Sequence, residues 1–189
     1  MDRHPGGEEH SLKMIRLVTD GPAPIGAGTV VYDFGAGAGD LVKQLQSAGF
    51  DVQGIDLTPR GQNVAFGDLL KTGLPDACAD AVFSQCAFFV SGDPAGAFRE
   101  AHRVLRLGGL LAVSDVSFAP PLAETARAAG FEVLYEEDLT ETWRTYFLEC
   151  IWNGTADPAC AEGKKGAHYT LLLCRKPGPA ELTEGGGNG

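Results

Sequence analysis

The 189-residue chain has little positive charge. Lysine and arginine number 15 against 25 aspartates and glutamates, for a formal net charge of −10. No basic cluster offsets this, since Lys164-Lys165 is only a pair. A phosphate-rich partner would be repelled on average, so a nucleic-acid binder is excluded. The chain also has no C-x-x-C pair among its five cysteines, Cys78, Cys86, Cys150, Cys160 and Cys174. Their odd number and scattered spacing exclude a disulfide framework and a zinc finger, and no metal site is expected. Met1 to His10 is polar and carries no signal-peptide core. No run reaches the roughly 18 apolar residues of a membrane span. A cytoplasmic protein with free thiols and no membrane contact is therefore expected. Cys150, Cys160 and Cys174 could converge to hold a soft metal or metalloid; idle or buried thiols are the plainer reading.

Glycine is abundant, with 26 residues, about twice the usual share of roughly 7%. It has no three-residue period, and 44% of residues are hydrophobic, so neither collagen nor global disorder fits. The length suits one domain. Residues 1–27 read as an N-terminal arm around a short helix from His10 to Thr19. Residues 28–175 read as the domain, with 138–166 as its lid, and residues 176–189 as a disordered tail rich in proline and glycine. Within the domain, strands are expected at Gly28–Phe34, Asp51–Asp56, Asn63–Phe66, Ala79–Phe83, Leu110–Val116, Phe131–Tyr135 and His168–Cys174. Helices are expected at Asp40–Ala48, Asp93–Leu105, Pro121–Ala129 and Leu139–Trp152, with Gly108-Gly109 stopping the second. This alternation predicts a Rossmann-like three-layer α/β sandwich. Its seven-strand sheet is mostly parallel with an antiparallel last strand, and the ligand sits at the carboxyl ends of the strands.

The segment Val30-Val31-Tyr32-Asp33-Phe34-Gly35-Ala36-Gly37-Ala38-Gly39-Asp40 carries the chemistry. A buried strand enters three alternating glycines and then a helix, so backbone can approach a ligand without Cβ clashes. A dinucleotide site wants G-x-G-x-x-G/A, and here Asp40 fills its final slot. An acid beside a pyrophosphate would be repelled, which disfavours a nicotinamide-dependent oxidoreductase. Asp33, just before the glycines, suits a ligand bearing an amine. Asp56 ends the second strand, where an acid can accept both hydroxyls of a ribose. Gly67-Asp68 follows the third strand, where an adenine edge could be read.

The series VYDFGAGAGDL, GIDLTP, FGDLLKTGLPDACADAVFSQCA and REAHRVLRLGGLLAVSDV resembles class I S-adenosylmethionine-dependent methyltransferases, in the small-molecule branch near the ubiquinone/menaquinone-type enzymes. The resemblance implies S-adenosyl-L-methionine as cofactor. By it, Gly35, Ala36, Gly37 and Gly39 line the methionine part and Asp33 meets its amino group. Asp56 holds the ribose and Asp68 meets the adenine, with Leu57 and Leu69 beside them among the cofactor-binding residues. Ser84, Gln85 and Cys86 face the methyl group. Glu100, Arg103 and Gly108-Gly109 match a structural signature with no chemical role.

Two features depart from that family. Only six residues, Leu57 to Gln62, join strands two and three. Seven peptide steps reach at most roughly 25 Å, and a five-residue strand already spans about 17 Å. A largely extended crossover is predicted, with the usual helix reduced or missing and strand three absent or very short as the alternative. No Asn/Asp-Pro-Pro-aromatic motif follows strand four, so base or glutamine amino groups are not indicated as acceptors. No catalytic residue is assigned. His4 and His10 could cover the site, His102 should face solvent, and His168 should be structural. Trp143, Tyr146 and Phe147 recur with Cys150 on one face of the last helix, as packing on the sheet or as an acceptor pocket. The off-face residues Leu148, Ile151 and Trp152 leave room for a homodimer contact. The expected activity is methyl transfer to a small-molecule acceptor; the alternative is a non-catalytic module that binds an adenosyl ligand or a partner.

Overall fold

The computed structural model describes residues 4–155 and 166–178. The expected tail from residue 179 onward and residues 156–165 of the expected lid, Cys160 among them, lie outside the described residues. In chain order the elements are α1 (Gly7–Thr19), β1 (Val30–Phe34), α2 (Asp40–Ser47), β2 (Asp51–Asp56), β3 (Val64–Phe66), β4 (Ala79–Gln85), α3 (Pro94–Val104), β5 (Leu105–Ser117), α4 (Leu122–Ala128), β6 (Glu132–Asp138), α5 (Thr140–Trp152) and β7 (His168–Arg175). The strands form one sheet in the order β3-β2-β1-β4-β5-β7-β6. All pairs are parallel except those of β7, which runs antiparallel to both β5 and β6.

Strand alternation divides the core in two. Val82 on β4, Leu111 and Val113 on β5 and Leu172 on β7 point to the layer holding Phe98 of α3, Ala126 of α4 and Phe131. Their neighbours Ala81, Phe83, Leu110, Ala112, Leu171 and Leu173 point to the layer holding Met14 and Val18 of α1 and Leu41 and Leu45 of α2. The three-layer sandwich is thus the one the sequence alternation predicts.

Four local expectations change. Helix α1 begins three residues early, at Gly7, and its buried Met14, Ile15 and Val18 make it part of the core rather than a loose arm. Helix α3 ends at Val104 and the chain turns directly into β5. Gly108-Gly109 therefore lies inside an irregular stretch of strand, where the β4–β5 register shifts between Ala79 and Ala81. His102 does not face solvent freely: its ring is half-buried and stands edge-on to Phe131 at 5.1 Å. Lys176, placed in the tail by its neighbours, pairs its backbone with Gly108 and Gly109 and donates its ammonium to the carbonyls of His102 and Leu105 at the end of α3.

The missing helix is real. Residues 57–63 hold no helix, and β3 is only three residues long. The crossover folds back onto the glycine loop instead: Arg60 N–H donates to Gly37 O at 3.0 Å. A Cβ on Gly61 would stand 2.2 Å from Ala38 O, so only glycine allows this contact. Below the site, Glu100 of α3 accepts from Thr72 N (2.8 Å), Thr72 Oγ1 (2.6 Å) and Arg103 Nε (2.9 Å). Burial would raise its carboxyl, but the hydrogen bonds to Arg103 and Thr72 outweigh that and bring it down to about 2.

Candidate active site

A cavity of about 810 Å³ opens at the carboxyl ends of the parallel strands. Its cofactor-side wall grows from β1 and β2. Asp33 is the last residue but one of β1 and is 3% exposed. Among the described residues no donor reaches its carboxylate. Burial, with the Asp56 charge added, pushes it up to about 7. Next come Gly35, Gly37 and Gly39, all with positive φ. A Cβ on Gly35 would collide with Ala87 Cβ at 2.2 Å, because the loop after β4 presses against it.

Asp56 binds the glycine loop to the crossover. Its Oδ2 accepts from Gly37 N at 2.8 Å and its Oδ1 from Thr58 N at 2.7 Å. Asp68 turns the chain after β3, accepting from Leu70 N at 2.8 Å. Asp33, Gly35, Ala36, Gly37, Asp56, Leu57, Asp68, Leu69 and Gln85 all line the cavity. Two predicted residues do not. Ser84 is fully buried and donates to Phe34 O at 2.8 Å, pinning β4 to β1 behind the wall. Gly39 caps α2 and packs on Val64 and Gln62.

The opposite wall comes from the loop after β4, the start of α1 and α5. Cys86 holds φ at 55°, an uncommon conformation for a non-glycine residue, with its thiol 3.4 Å from Tyr169 OH. The Gln85 amide is tied to Ser11 of α1 at 3.1 Å, and His4 and Pro5 reach the cavity edge. His10 lies inside the fold against Tyr169, and burial lowers it to about 4. Trp143, Tyr146, Phe147 and Cys150 of α5 all face the cavity, and the rings of Trp143 and Phe147 stack at 5.7 Å. Only Thr140 and Cys150 of this helix are buried, so its aromatic face covers a cleft more than it packs a sheet.

Sequence reasoning passed over two charged cavity residues. Asp115 lies two residues before the end of β5 and is 1% exposed; its carboxylate accepts from Phe88 N (2.7 Å), Phe89 N (3.2 Å) and Val116 N (2.7 Å). Burial pushes it up to about 7 despite those three donors. The signal was an acid inside the apolar run Leu110–Val116. Arg60 of the crossover is the other. Of the cysteine trio, Cys160 lies outside the described residues, and Cys150 and Cys174 do not share a site. Cys150 lines the cavity, but Cys174 lies deep in the core opposite Leu111 and Val133, toward the other end of β7. Burial pushes its thiol up to about 12. No group of metal-ligating side chains exists among the described residues.

The cradle fits a cofactor of the expected kind, since a buried carboxylate without a partner stands beside glycines that leave room for it. The methyltransferase domain family matches residues 32–113. An arsenite methyltransferase of Aquipseudomonas alcaligenes is 31% identical over 182 residues, covering 82% of this chain and 52% of that one, so the chain spans about half of that relative's length. An uncharacterized methyltransferase of Bacillus cytotoxicus is 30% identical over 160 residues, covering 75% of this chain and 70% of the relative. Among solved structures, the Haemonchus contortus phosphoethanolamine N-methyltransferase 2, bound to S-adenosylhomocysteine, superposes with a TM-score of 0.72 at 17% identity, over 93% of this chain and 54% of that one. At that identity the likeness shows the fold; with the sequence relatives, it makes the chain a member of the class I S-adenosylmethionine-dependent methyltransferase family.

Proposed function

We propose that the chain binds S-adenosylmethionine and transfers its methyl group to a small, uncharged acceptor held under α5. The observation that carries this reading is Asp33: a buried carboxylate with no partner among the described residues, beside the Gly35–Gly37 cradle. Asp33 would take the cofactor's ammonium, Asp56 its ribose, and Asp68 and Leu69 its adenine. The cofactor supplies a methyl on a sulfonium, already activated, so the protein's task is alignment more than acid–base work. Asp115 contributes by fixing the loop after β4, whose Phe89 lines the cavity.

The acceptor half is apolar and aromatic, lined by Trp143, Tyr146, Phe147, Phe89 and Val116. The single lysine or arginine in the described lining, Arg60, lies on the cofactor side, so nothing there grips a phosphorylated acceptor. An uncharged ring-sized molecule, of the type taken by the ubiquinone/menaquinone branch, fits best. A soft trivalent metalloid is the second reading, favoured by the two thiols Cys86 and Cys150 in the same lining and by the arsenite methyltransferase among the relatives. A homodimer through the exposed Leu148, Ile151 and Trp152 is part of the proposal, as is a cytoplasmic location, which rests on the free thiols. No described helix is long and apolar enough to cross a membrane.

Calorimetry with S-adenosylmethionine, S-adenosylhomocysteine and NAD tests the cofactor. Binding of the first two and not the third is expected; no binding of either adenosyl ligand overturns the reading. Turnover is then followed by mass spectrometry on quinol, phenol and thiol-complexed arsenite acceptors. Binding without turnover on any of them would favour the non-catalytic module.

A further inference from the structure

The walls of the cleft carry five carboxylates, Asp33, Asp40, Asp56, Asp68 and Asp115, and among the described lining residues one permanent cation, Arg60. Its position follows from the shortened crossover. With no helix after β2, the backbone of Arg60 hydrogen-bonds to Gly37 O at 3.0 Å. The side chain then lies over the glycine loop, with Nη2 3.3 Å from the point where a Gly37 Cβ would stand. That same point is 3.9 Å from Asp56 Oδ2. The guanidinium nevertheless makes no ion pair or hydrogen bond with any described residue. It is a fork of donors held at the rim of the cradle with its donors unspent.

The cofactor reading creates a demand that this group meets. An amino-acid ligand whose ammonium goes to Asp33 brings a carboxylate on the same carbon. That anion enters a wall of like charges, and Asp33 and Asp56 both repel it. The backbone N–H groups of Gly35, Ala36, Gly37 and Gly39 already donate within the protein, so the positive charge on offer comes chiefly from one side chain. We infer that Arg60 binds the carboxylate of the cofactor's amino-acid end, making it a binding residue supplied by the crossover. The inference rests on the cofactor reading of the site and adds to it a residue that sets which adenosyl ligands are accepted. A guanidinium matches a carboxylate in two parallel hydrogen bonds, which an ammonium cannot do.

The test compares S-adenosylhomocysteine with its decarboxylated analogue, which keeps the ammonium, thioether and adenosine. Both are titrated calorimetrically into the wild-type chain, Arg60→Ala and Arg60→Lys, with thermal melts to confirm folding. The wild type should prefer the carboxylate-bearing ligand by about tenfold, the scale of one charge-assisted contact at a solvent-reachable site. Arg60→Ala should erase that preference, and Arg60→Lys should restore part of it. A preference that survives in Arg60→Ala, or that is absent from the wild type, overturns the inference while leaving the cofactor reading intact. A wild type that binds neither ligand removes both.

Discussion

Asp33 makes the cofactor reading sensitive to pH in a way that can be calculated. Its carboxyl is pushed from 3.8 to about 7 by burial first and by Asp56 second. Each unit corresponds to about 1.4 kcal/mol, so the buried charge costs the unliganded protein on the order of 4 kcal/mol once ionised. In the free protein this raised value means that stability is fully present below about pH 4 and is lost as pH rises through about 7. A ligand ammonium should return the carboxyl to its ordinary range, so binding below pH 7 must expel a proton. At pH 6 the expected release is roughly 0.9 proton, and affinity should rise about fifteenfold from pH 5.5 to pH 7. The ligand's own α-amino group stays charged over that window, since its ordinary value is about 7.7 or above. Titrating S-adenosylhomocysteine in two buffers of different ionisation enthalpy measures the released protons directly. Asp33→Asn keeps the shape and removes the titration. It should bind weakly with a flat profile, and should exceed the wild type in unliganded stability near pH 8 but not near pH 4. Asp115 also titrates near 7, so the variant is the control that isolates Asp33. A wild type that releases no proton at pH 6, or an Asn variant with the same slope, would refute the assignment of the ammonium to Asp33.

Gly61→Ala should drive the crossover off the glycine loop, since its Cβ would lie 2.2 Å from Ala38 O and 2.5 Å from Ala38 C. S-adenosylhomocysteine affinity should fall at least about tenfold, with a stability loss of about 1–3 kcal/mol in urea unfolding. Glu100→Ala leaves the Thr72 N–H without its acceptor and takes one of two carboxylates from Arg103, which keeps Asp76 and Leu74 O; it should cost about 1–3 kcal/mol at neutral pH. Because the native carboxyl is held at about 2 against an ordinary 4.5, that contribution is present above about pH 4.5 and is lost as pH falls toward 2. Wild type and variant should therefore converge in acid. Trp143→Ala removes one ring of the stack over the acceptor half. It should leave cofactor affinity within about twofold and reduce turnover, and a large loss of cofactor affinity would move the stack to the other side of the cleft.

The elements legible in the sequence are those whose signal is local. Alternating glycines after a β-branched run marked the cradle, and an acid at each strand end marked Asp33, Asp56 and Asp68. The missing helix was legible as well, because the reach of six residues is a matter of covalent geometry. What escaped depends on neighbours distant in sequence. Gly7 to Glu9 look like a polar leader, yet they open a helix whose next turns bury Met14 and Val18 under the sheet. Arg106-Leu107-Gly108-Gly109 lacks strand alternation because a register shift occupies it, so β5 was begun too late. His102 was placed in solvent because the helical pattern shows only its own face; Phe131, from another element, covers it. Ser84 read as a site residue from its place after β4, but a strand end has two sides and its hydroxyl turns toward Phe34 O.

The shortened crossover also changes what Asp56 must do, and this bears on how its role can be tested. Residues 57–63 hold no helix, and the glycine loop is tied to this crossover. Here the brace is Asp56 itself, with Gly37 N on one oxygen and Thr58 N and Oγ1 on the other. A carboxylate offers about four lone-pair sites, so three donors leave capacity on Oδ2 for about one more. Asp56 can therefore accept one ribose hydroxyl without giving up the loop, and a second only by releasing Thr58. Asp56→Ala should weaken S-adenosylhomocysteine binding strongly, but it would do so through loop release even if no ribose were touched. The 2′-deoxy and 3′-deoxy analogues separate the two effects, because they leave the protein intact. One deoxy analogue should lose about tenfold in affinity, the scale of a hydrogen bond to a charged group, and the other much less. Equal losses for both would mean that Thr58 yields on binding. No loss for either would leave Asp56 as the tie between loop and crossover, and the ribose would have to be held elsewhere.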